Sequence, residues 1–487
     1  MATIAENLQI IKDSTDAIKQ AIIDKGGIIS GDITTWASAI NSIESSGSDG
    51  GVSTSSGVNF YDYDGTLLYS YTKSAFLALS DLPELPTRDG LTCQGWNYTI
   101  DKAKEYVTSY GVLDIGATYI TNDGKTRLYI KIAAPGRMSV PLYFNQSVAN
   151  GVTIDWGDGS PSQTLSGTGN VNITHTYTEI GDYCISLTVN SGTLGLGLNS
   201  SGYCIMGPTD NAGRVYCNML QKVEIGEGVT SIGPYAFSNC YSLSSVIIPE
   251  SVKSIGDGAF GNCYSLSSVI IPESVTSIGG SAFYICYSLS SVIIPESVKS
   301  IGNGAFGNCH SLSSIVIPES VTSIGTITFV SCYSLSSVII PESVKSIGEN
   351  AFYYCRSLSS IVIPESVTSI GPYAFSNCYS LSFVIIPESV KSIGNGAFGN
   401  CYSLSSIVIP ESVTSIGNSA FSNCYGMAFY DFRDAKSVPT LGSNAFSSIR
   451  SDCKIIVPDS LYDEWIVATN WSTYASYIIK TSDYEAL

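Results

Sequence analysis

Leu243-Ser-Ser-Val-Ile-Ile-Pro-Glu-Ser-Val-Lys-Ser-Ile-Gly-Asp-Gly-Ala-Phe-Gly-Asn-Cys263 returns, with small changes, again and again along this 487-residue chain. Cys240 to Cys424 spans 184 positions in eight steps of 23, and Pro249 to Pro410, Ile232 to Ile416 and Phe237 to Phe421 keep the same step. A unit this short cannot bury its own apolar face, so neighbouring units stack and each copy becomes one coil of a solenoid. Within a coil, Leu243, Val246 and Ile248 alternate with Ser245 and Ile247, which predicts a short strand closed by Pro249. Val252 and Ile255 predict a second extended segment. Gly256 and the polar pair after it predict a turn, and Ala259-Phe260 a helical or 3₁₀ corner. The inward set is then Leu243, Val246, Ile248, Val252, Ile255, Phe260 and Cys263, repeating at about 4.8 Å per coil.

Outward from the repeat, composition narrows the functional classes. Charged residues make up 13% and hydrophobic residues 44%, enough apolar surface for a folded chain. The formal charge of −18 argues against a phosphate-tracking nucleic-acid binder and against a polybasic membrane-surface protein. The opening residues carry no basic and apolar leader, and no stretch of about 18 apolar residues occurs, so neither a signal peptide nor membrane insertion is expected. His175 and His310 are the two histidines, set far apart and without a catalytic motif, so no enzyme, no catalytic residue and no cofactor are expected.

The repeat writes its residues in columns. Zinc sites want cysteines in close pairs, whereas here single cysteines recur beside an apolar Phe, so the column reads as buried thiols and no metal is expected. Lys253, Lys299, Lys345 and Lys391 alternate with Thr276, Thr322, Thr368 and Thr414, which keeps like charges two coils apart. The Glu column from Glu250 to Glu411 has no such relief and is expected to be solvated. Directly after the cysteines runs Tyr241, Tyr264, Tyr287, His310, Tyr333, Arg356, Tyr379, Tyr402 and Tyr425, with Tyr284, Tyr353 and Tyr354 close by. Inward packing would have kept such positions uniform, so the exchange of Tyr for His or Arg marks an exposed rim. Two readings stand. The rings stack sugars or peptides, with Tyr264, Tyr287, His310, Tyr333, Tyr353, Tyr354, Arg356, Tyr379 and Tyr402 as candidate ligand contacts, or they stack only on one another. The outward strand positions Ser245, Ile247, Ile270, Ile293 and Val316 form an apolar stripe suited to another subunit.

The pattern Leu-x-x-Val-x-Ile-Pro-x-Ser-Val-x-x-Ile-Gly-x-x-Ala-Phe-x-x-Cys resembles the BspA-like leucine-rich repeats, which implies a right-handed solenoid used in adhesion and recognition. Before it, Ile4, Leu8, Ile11, Thr15, Ile18 and Ile22 fall at spacings of four and three. That seam suits either an oligomerising helix, for which Ile4, Leu8, Ile11, Ile18 and Ile22 are the contacts, or an amphipathic helix packed on its own chain. Asp32 can cap a second short helix carrying Trp36 and Ile40. The segment Ile4-Ala5-Glu6, Asp16-Ala17-Ile18-Lys19, Lys25-Gly26-Gly27 and Trp36-Ala37-Ser38-Ala39-Ile40 looks like the start of many phage and prophage tail proteins. Phe60-Tyr61-Asp62-Tyr63-Asp64-Gly65-Thr66, Trp96-Asn97 and Asp123-Gly124-Lys125-Thr126-Arg127 resemble a small domain of gut phage structural proteins. There Asp64-Gly65 and Asp123-Gly124 predict hairpin turns, and Asp101 to Tyr110 a capped helix. Val152-Thr-Ile-Asp-Trp-Gly-Asp-Gly-Ser160 with His175-Thr-Tyr177 resembles the polycystic-kidney-disease type immunoglobulin-like sandwich. Asp155 and Asp158 fit turn chemistry better than calcium binding.

The expected fold is therefore mainly β and multidomain: short N-terminal helices (1–44), a Ser/Gly linker (45–57), a small α+β domain (58–132), an immunoglobulin-like β-sandwich (133–192), a solenoid N-cap (193–219), leucine-rich repeats (220–450) and a C-terminal helical cap (451–487). The expected function is a non-enzymatic virion or tail-associated protein, in a tail or surface fibre, that binds the host surface through the solenoid. Its partners would be other copies of itself, with a trimer preferred, other virion proteins, and a host glycan or protein. A structural decoration or assembly protein and a bacterial cell-surface adhesin are the alternatives.

Overall fold

The computed structural model describes residues 57–197, 203–208 and 214–485. The predicted N-terminal helices, with Ile4, Leu8, Ile11, Ile18 and Ile22, and the linker through residue 56 lie outside the described residues.

The chain is mainly β. Its first unit is a four-stranded sheet of β1 (Val58–Tyr61), β2 (Leu67–Tyr71), β3 (Leu91–Trp96) and β4 (Leu113–Thr121) in the order β2-β1-β4-β3. Asp64-Gly65 turns β1 into β2, with Gly65 at φ +86°. The helix Ile100–Tyr110 starts where Thr99 Oγ1 accepts from the Lys102 amide and stops at left-handed Gly111.

Residue 132 proves to be the wrong place to end this unit. β5 (Thr126–Ile132) leaves the first sheet and pairs antiparallel with β10 (Gly181–Val189) on one side and with β14 (Leu220–Glu224) on the other. Asp123-Gly124 therefore joins two sheets and does not close a hairpin. The strand's own alternation fits either sheet, so only its long-range partners decide the boundary.

The expected sandwich is present, but it is not separate from the solenoid. β6 (Ser139–Gln146), β9 (Gly169–Thr176) and β11 (Leu194–Leu196) form one layer; β5, β10, β7 (Val152–Asp155) and β8 (Gln163–Thr164) form the other. The first layer runs on through β15 (Val229–Ile232) and β17 (Ser254–Ile255), and the second through β14 and β16 (Ser245–Ile247). One hydrophobic core runs from Leu128 to Ile478 without a break. The sandwich is thus the N-terminal cap of the solenoid: it supplies paired strands where an open edge would otherwise recruit other chains.

Coils then follow in register, Ser254 against Ser277 and Ile255 against Ile278, Ser268 against Ser291 and Ile270 against Ile293. Leu243, Val246, Ile248, Val252, Ile255, Phe260 and Cys263 are all buried, as the repeat predicts. Phenylalanines stack from Phe237 to Phe446, for example at 5.2 Å for Phe260–Phe283 and 5.4 Å for Phe352–Phe375. The corner before them is not a 3₁₀ helix. Left-handed residues at Gly258 (φ 59°) and Asn262 (φ 61°) divide it into successive tight turns. Gly256 is required at this corner, because a Cβ there would lie 2.6 Å from the Pro234 nitrogen of the coil before. Serine hydroxyls add bonds to carbonyls of the preceding coil: Ser290 Oγ donates at 3.1 Å to Ser267 O, which also accepts the Ser290 amide, and Ser297 Oγ donates to Val275 O at 2.8 Å.

The C-terminal end mixes helices with strands. Lys454–Val457 is still a rung, and Ile478–Lys480 adds a last parallel strand to it. The helical pieces Tyr462–Trp465 and Trp471–Tyr477 bring Trp465 and Trp471 against Phe432, and Trp471 also against Phe446.

Candidate recognition surface

Two outward columns on the solenoid hold the residues of interest. The strand column divides in half. Ile247, Ile270 and Ile293 are buried, and Val316 is packed beside them, because the α+β unit lies across these rungs. Ile270 and Ile293 join Val58, Phe60, Phe76 and Ile115 in one cluster, and Ile247 joins Leu91 and Tyr119 in another. The stripe expected to meet another subunit is therefore covered, over these four rungs, by the chain's own earlier domain. Ile339, Val362, Ile385 and Val408 continue it uncovered, with Val408 53% exposed, and Phe383 replaces serine beside them at 46%.

The same docking corrects the expectation for the glutamates. Glu250, Glu273 and Glu296 are half-buried, the last two facing Lys102 of the α+β unit, whereas Glu342, Glu365, Glu388 and Glu411 are exposed. Burial raises the Glu273 and Glu296 carboxyls above the usual range. Glu250 and Glu296 each accept a backbone amide of the next rung, from Ser274 and Glu319 at 3.0 Å.

Tyr241, Tyr264, Tyr287, His310, Tyr333, Arg356, Tyr379, Tyr402 and Tyr425 form one surface rail, and none of them is buried. Their ring planes lie against one another: Tyr264–Tyr287 at 5.0 Å, Tyr287–His310 at 4.5 Å, His310–Tyr333 at 4.4 Å, Tyr379–Tyr402 at 4.8 Å. Arg356 fills the gap, its guanidinium carbon 4.5 Å from the Tyr333 ring centre and 5.7 Å from that of Tyr379. Most ring faces are used inside the rail, so a sugar does not stack on them. Ring edges, hydroxyls and one cation face solvent. Tyr354 stands edge-on to both Tyr353 and Tyr379, at 4.6 and 6.1 Å, and lines the same spot. Burial, and then the charge of Arg356, hold the His310 imidazole below its ordinary pKa.

The cysteine column is a second internal ladder. From Cys263 to Cys424 each thiol donates to the Phe carbonyl of the preceding coil, as Cys286 does to Phe260 and Cys309 to Phe283, both at 3.2 Å. Burial pushes Cys286, Cys332 and Cys424 up to about 12, so they stay protonated. Sequence reading missed the disulfide between Cys204 and Cys217, whose sulfurs lie within 4.8 Å of that of Cys240. Cys217 falls one step of 23 before Cys240 and so reads as one more member of the buried column; Cys204, which stands outside that register, was the available signal. In the sandwich, Asp155 and Asp158 accept the Gly157 and Ser160 amides at 3.0 Å, and Asp158 also holds His175 Nε2 at 2.7 Å, as turn chemistry requires.

A parallel β-solenoid with an inward Leu-Val-Ile-Phe-Cys set and an outward aromatic rail is a leucine-rich-repeat architecture. Residues 215–336 and 322–454 match the family model described as BspA type leucine rich repeat region, so the repeats belong to that type. No curated protein matches the chain. Among solved structures, a leucine rich cell surface protein from Faecalibacterium prausnitzii A2-165 is similar at 29% identity, covering 53% of this chain and 83% of that one, with a TM-score of 0.36. A leucine-rich repeat protein from Bacteroides ovatus ATCC 8483 is similar at 26% identity, covering 60% and 96%, with a TM-score of 0.36.

Proposed function

We propose that this chain is a non-enzymatic surface-recognition protein that holds its ligand along the rail from Tyr264 to Tyr402. The observation that supports this most is that the rail stays in register and on the surface over the rungs where the repeat otherwise buries its large side chains. Its rings are already ordered by one another, so little side-chain entropy is left to lose on binding. The resemblance of residues 4–40 and 58–132 to phage structural proteins supports a virion setting with the host cell as target, where the segment through Ile4, Leu8, Ile11, Ile18 and Ile22 joins copies and other virion proteins are neighbours. A bacterial cell-surface adhesin fits the same rail. The sandwich is proposed to be of the polycystic-kidney-disease type.

One observation favours the assembly reading: the uncovered window of Ile339, Val362, Phe383, Ile385 and Val408 suits another protein surface. Binding of the full chain to intact bacterial cells separates the two. Serine at Tyr287, Tyr333, Tyr379 and Tyr402 is expected to abolish binding, and serine at Phe383 and Val408 to leave it unchanged. Undiminished binding by a folded rail variant would overturn the recognition reading.

A further inference from the structure

The rail departs from its own pattern most strongly at one rung, and three independent features meet there. The first is charge. Arg88, Arg127, Arg433 and Arg450 each hold a carboxylate: Asp62, Asp123, Asp431 and Asp452. The exposed guanidinium of Arg356 meets no carboxylate and makes no hydrogen bond among the described residues; its contacts are the rings of Tyr333, Tyr354 and Tyr379. Stacking restrains the planar fork while leaving its N–H edge to solvent, which is the arrangement that receives a two-oxygen anion. With His310 neutral, Arg356 carries the rail's charge alone, in a protein of net charge −18.

The second feature is strain. The residue before the cysteine is left-handed in every coil, and Asn262, Asn308, Asn377 and Asn400 suit it; Tyr354 occupies it at φ 62°. A bulky residue is disfavoured in that region and persists where the surroundings hold it. What the strain maintains is an aromatic wall beside the cation. The third feature is spacing. Ring centres, all but that of His310 belonging to tyrosines, recur every 4.4 to 5.4 Å on either side of Arg356, about the length of one pyranose residue, and the tyrosines offer hydroxyls to sugar hydroxyls.

We infer that the rung of Tyr333, Tyr353, Tyr354, Arg356 and Tyr379 is an anion subsite for an acidic polysaccharide, with Arg356 gripping a carboxylate or sulfate and the neighbouring tyrosines following the chain. The inference rests on the recognition reading and specifies its ligand. A polysaccharide is favoured over an acidic peptide because the site repeats along the rail as hydroxyl edges and not as apolar pockets.

The test measures binding of the full chain to polygalacturonate, dextran sulfate and neutral dextran by calorimetry. The expected result is binding to at least one of the two anionic polymers, weakened by added salt, and none to dextran. Arg356→Ala is expected to lose at least tenfold in affinity and Arg356→Lys to recover part of it; preference between the two polymers tells carboxylate from sulfate. Tyr354→Asn restores the residue that most coils use, so it is expected to raise the unfolding midpoint while weakening binding several-fold, a pairing that a purely structural tyrosine would not give. Equal affinity of Arg356→Ala and the native chain, binding of dextran as tight as that of the anionic polymers, or binding of neither anionic polymer would overturn the subsite. If cell binding persists in those cases and still depends on the rail tyrosines, the recognition reading stands without it.

Discussion

The repeat supplies its own control for the docking of the α+β unit. Ile270 and Ile385 occupy the same position of their coils, 115 residues or five repeats apart, and differ in what lies over them. Ile270 is 7% exposed beneath β4, so close that a Cβ on Gly116 would lie 2.7 Å from its Cδ1. Ile385 faces solvent in part. Serine at Ile270 removes a buried aliphatic side chain and leaves a cavity in the seam, a loss of about 2 to 4 kcal/mol. Serine at Ile385 is expected to fall within about 0.5 kcal/mol of neutral. Hydrogen exchange, read separately over residues 58–121 and over the coils, is the assay. Ile270→Ser should speed exchange across β1 and β4 and leave the Phe-column turns protected, while Ile385→Ser changes neither. Equal effects of the two substitutions, or unchanged exchange over 58–121 in Ile270→Ser, would refute the argument that this column seats the domain.

The same seam should respond to pH. Glu273 and Glu296 titrate above their ordinary range when covered, so the covered state binds protons more tightly; their contribution is full below the unfolded value of about 4.3 and is lost as pH rises through the raised value. Protection of residues 58–121 is therefore expected to fall between about pH 4.3 and neutrality, and Glu273→Gln with Glu296→Gln should flatten that slope. Thiol titration of the native chain with a chromogenic disulfide is expected to modify Cys93 and Cys184 at most, since the other free cysteines are buried; rapid reaction of further thiols before unfolding would contradict the ladder. Ile285 is β-branched and left-handed, at φ 62°, where neighbouring coils use Asn. Ile285→Asn should raise stability by about 0.5 to 1 kcal/mol in chemical denaturation, and a loss would show that its side-chain contacts outweigh the strain.

The solenoid was legible because one short sentence repeated states its inward set many times over. Val246 and Ile248 could be assigned to the core from alternation and Val252 and Ile255 from their recurrence in every unit, and Pro249 closed the strand as its chemistry demands. The rail was legible by the opposite sign, variation at positions where packing tolerates it. The direction in which its ring planes lie was not, because that depends on the pitch between coils. The cover over Ile247 to Val316 left no local trace either: Ile270 and Ile385 read identically, and the difference comes from Phe60 and Ile115, more than 150 positions earlier. β5 was assigned to the wrong unit for the same reason, since its partners arrive about 50 and 90 residues later.

Because every rung shows the next one the same surface, recombination between copies in the gene would lengthen or shorten the shaft by whole rungs without disturbing the sandwich at one end or the tryptophans at the other. The alternation of Lys253, Thr276, Lys299 and Thr322 adds a parity rule. Loss or gain of two neighbouring rungs keeps the ammonium groups apart, whereas loss of one threonine rung or gain of one lysine rung sets two of them on adjacent rungs, so length variants of this protein should avoid those two single-rung changes.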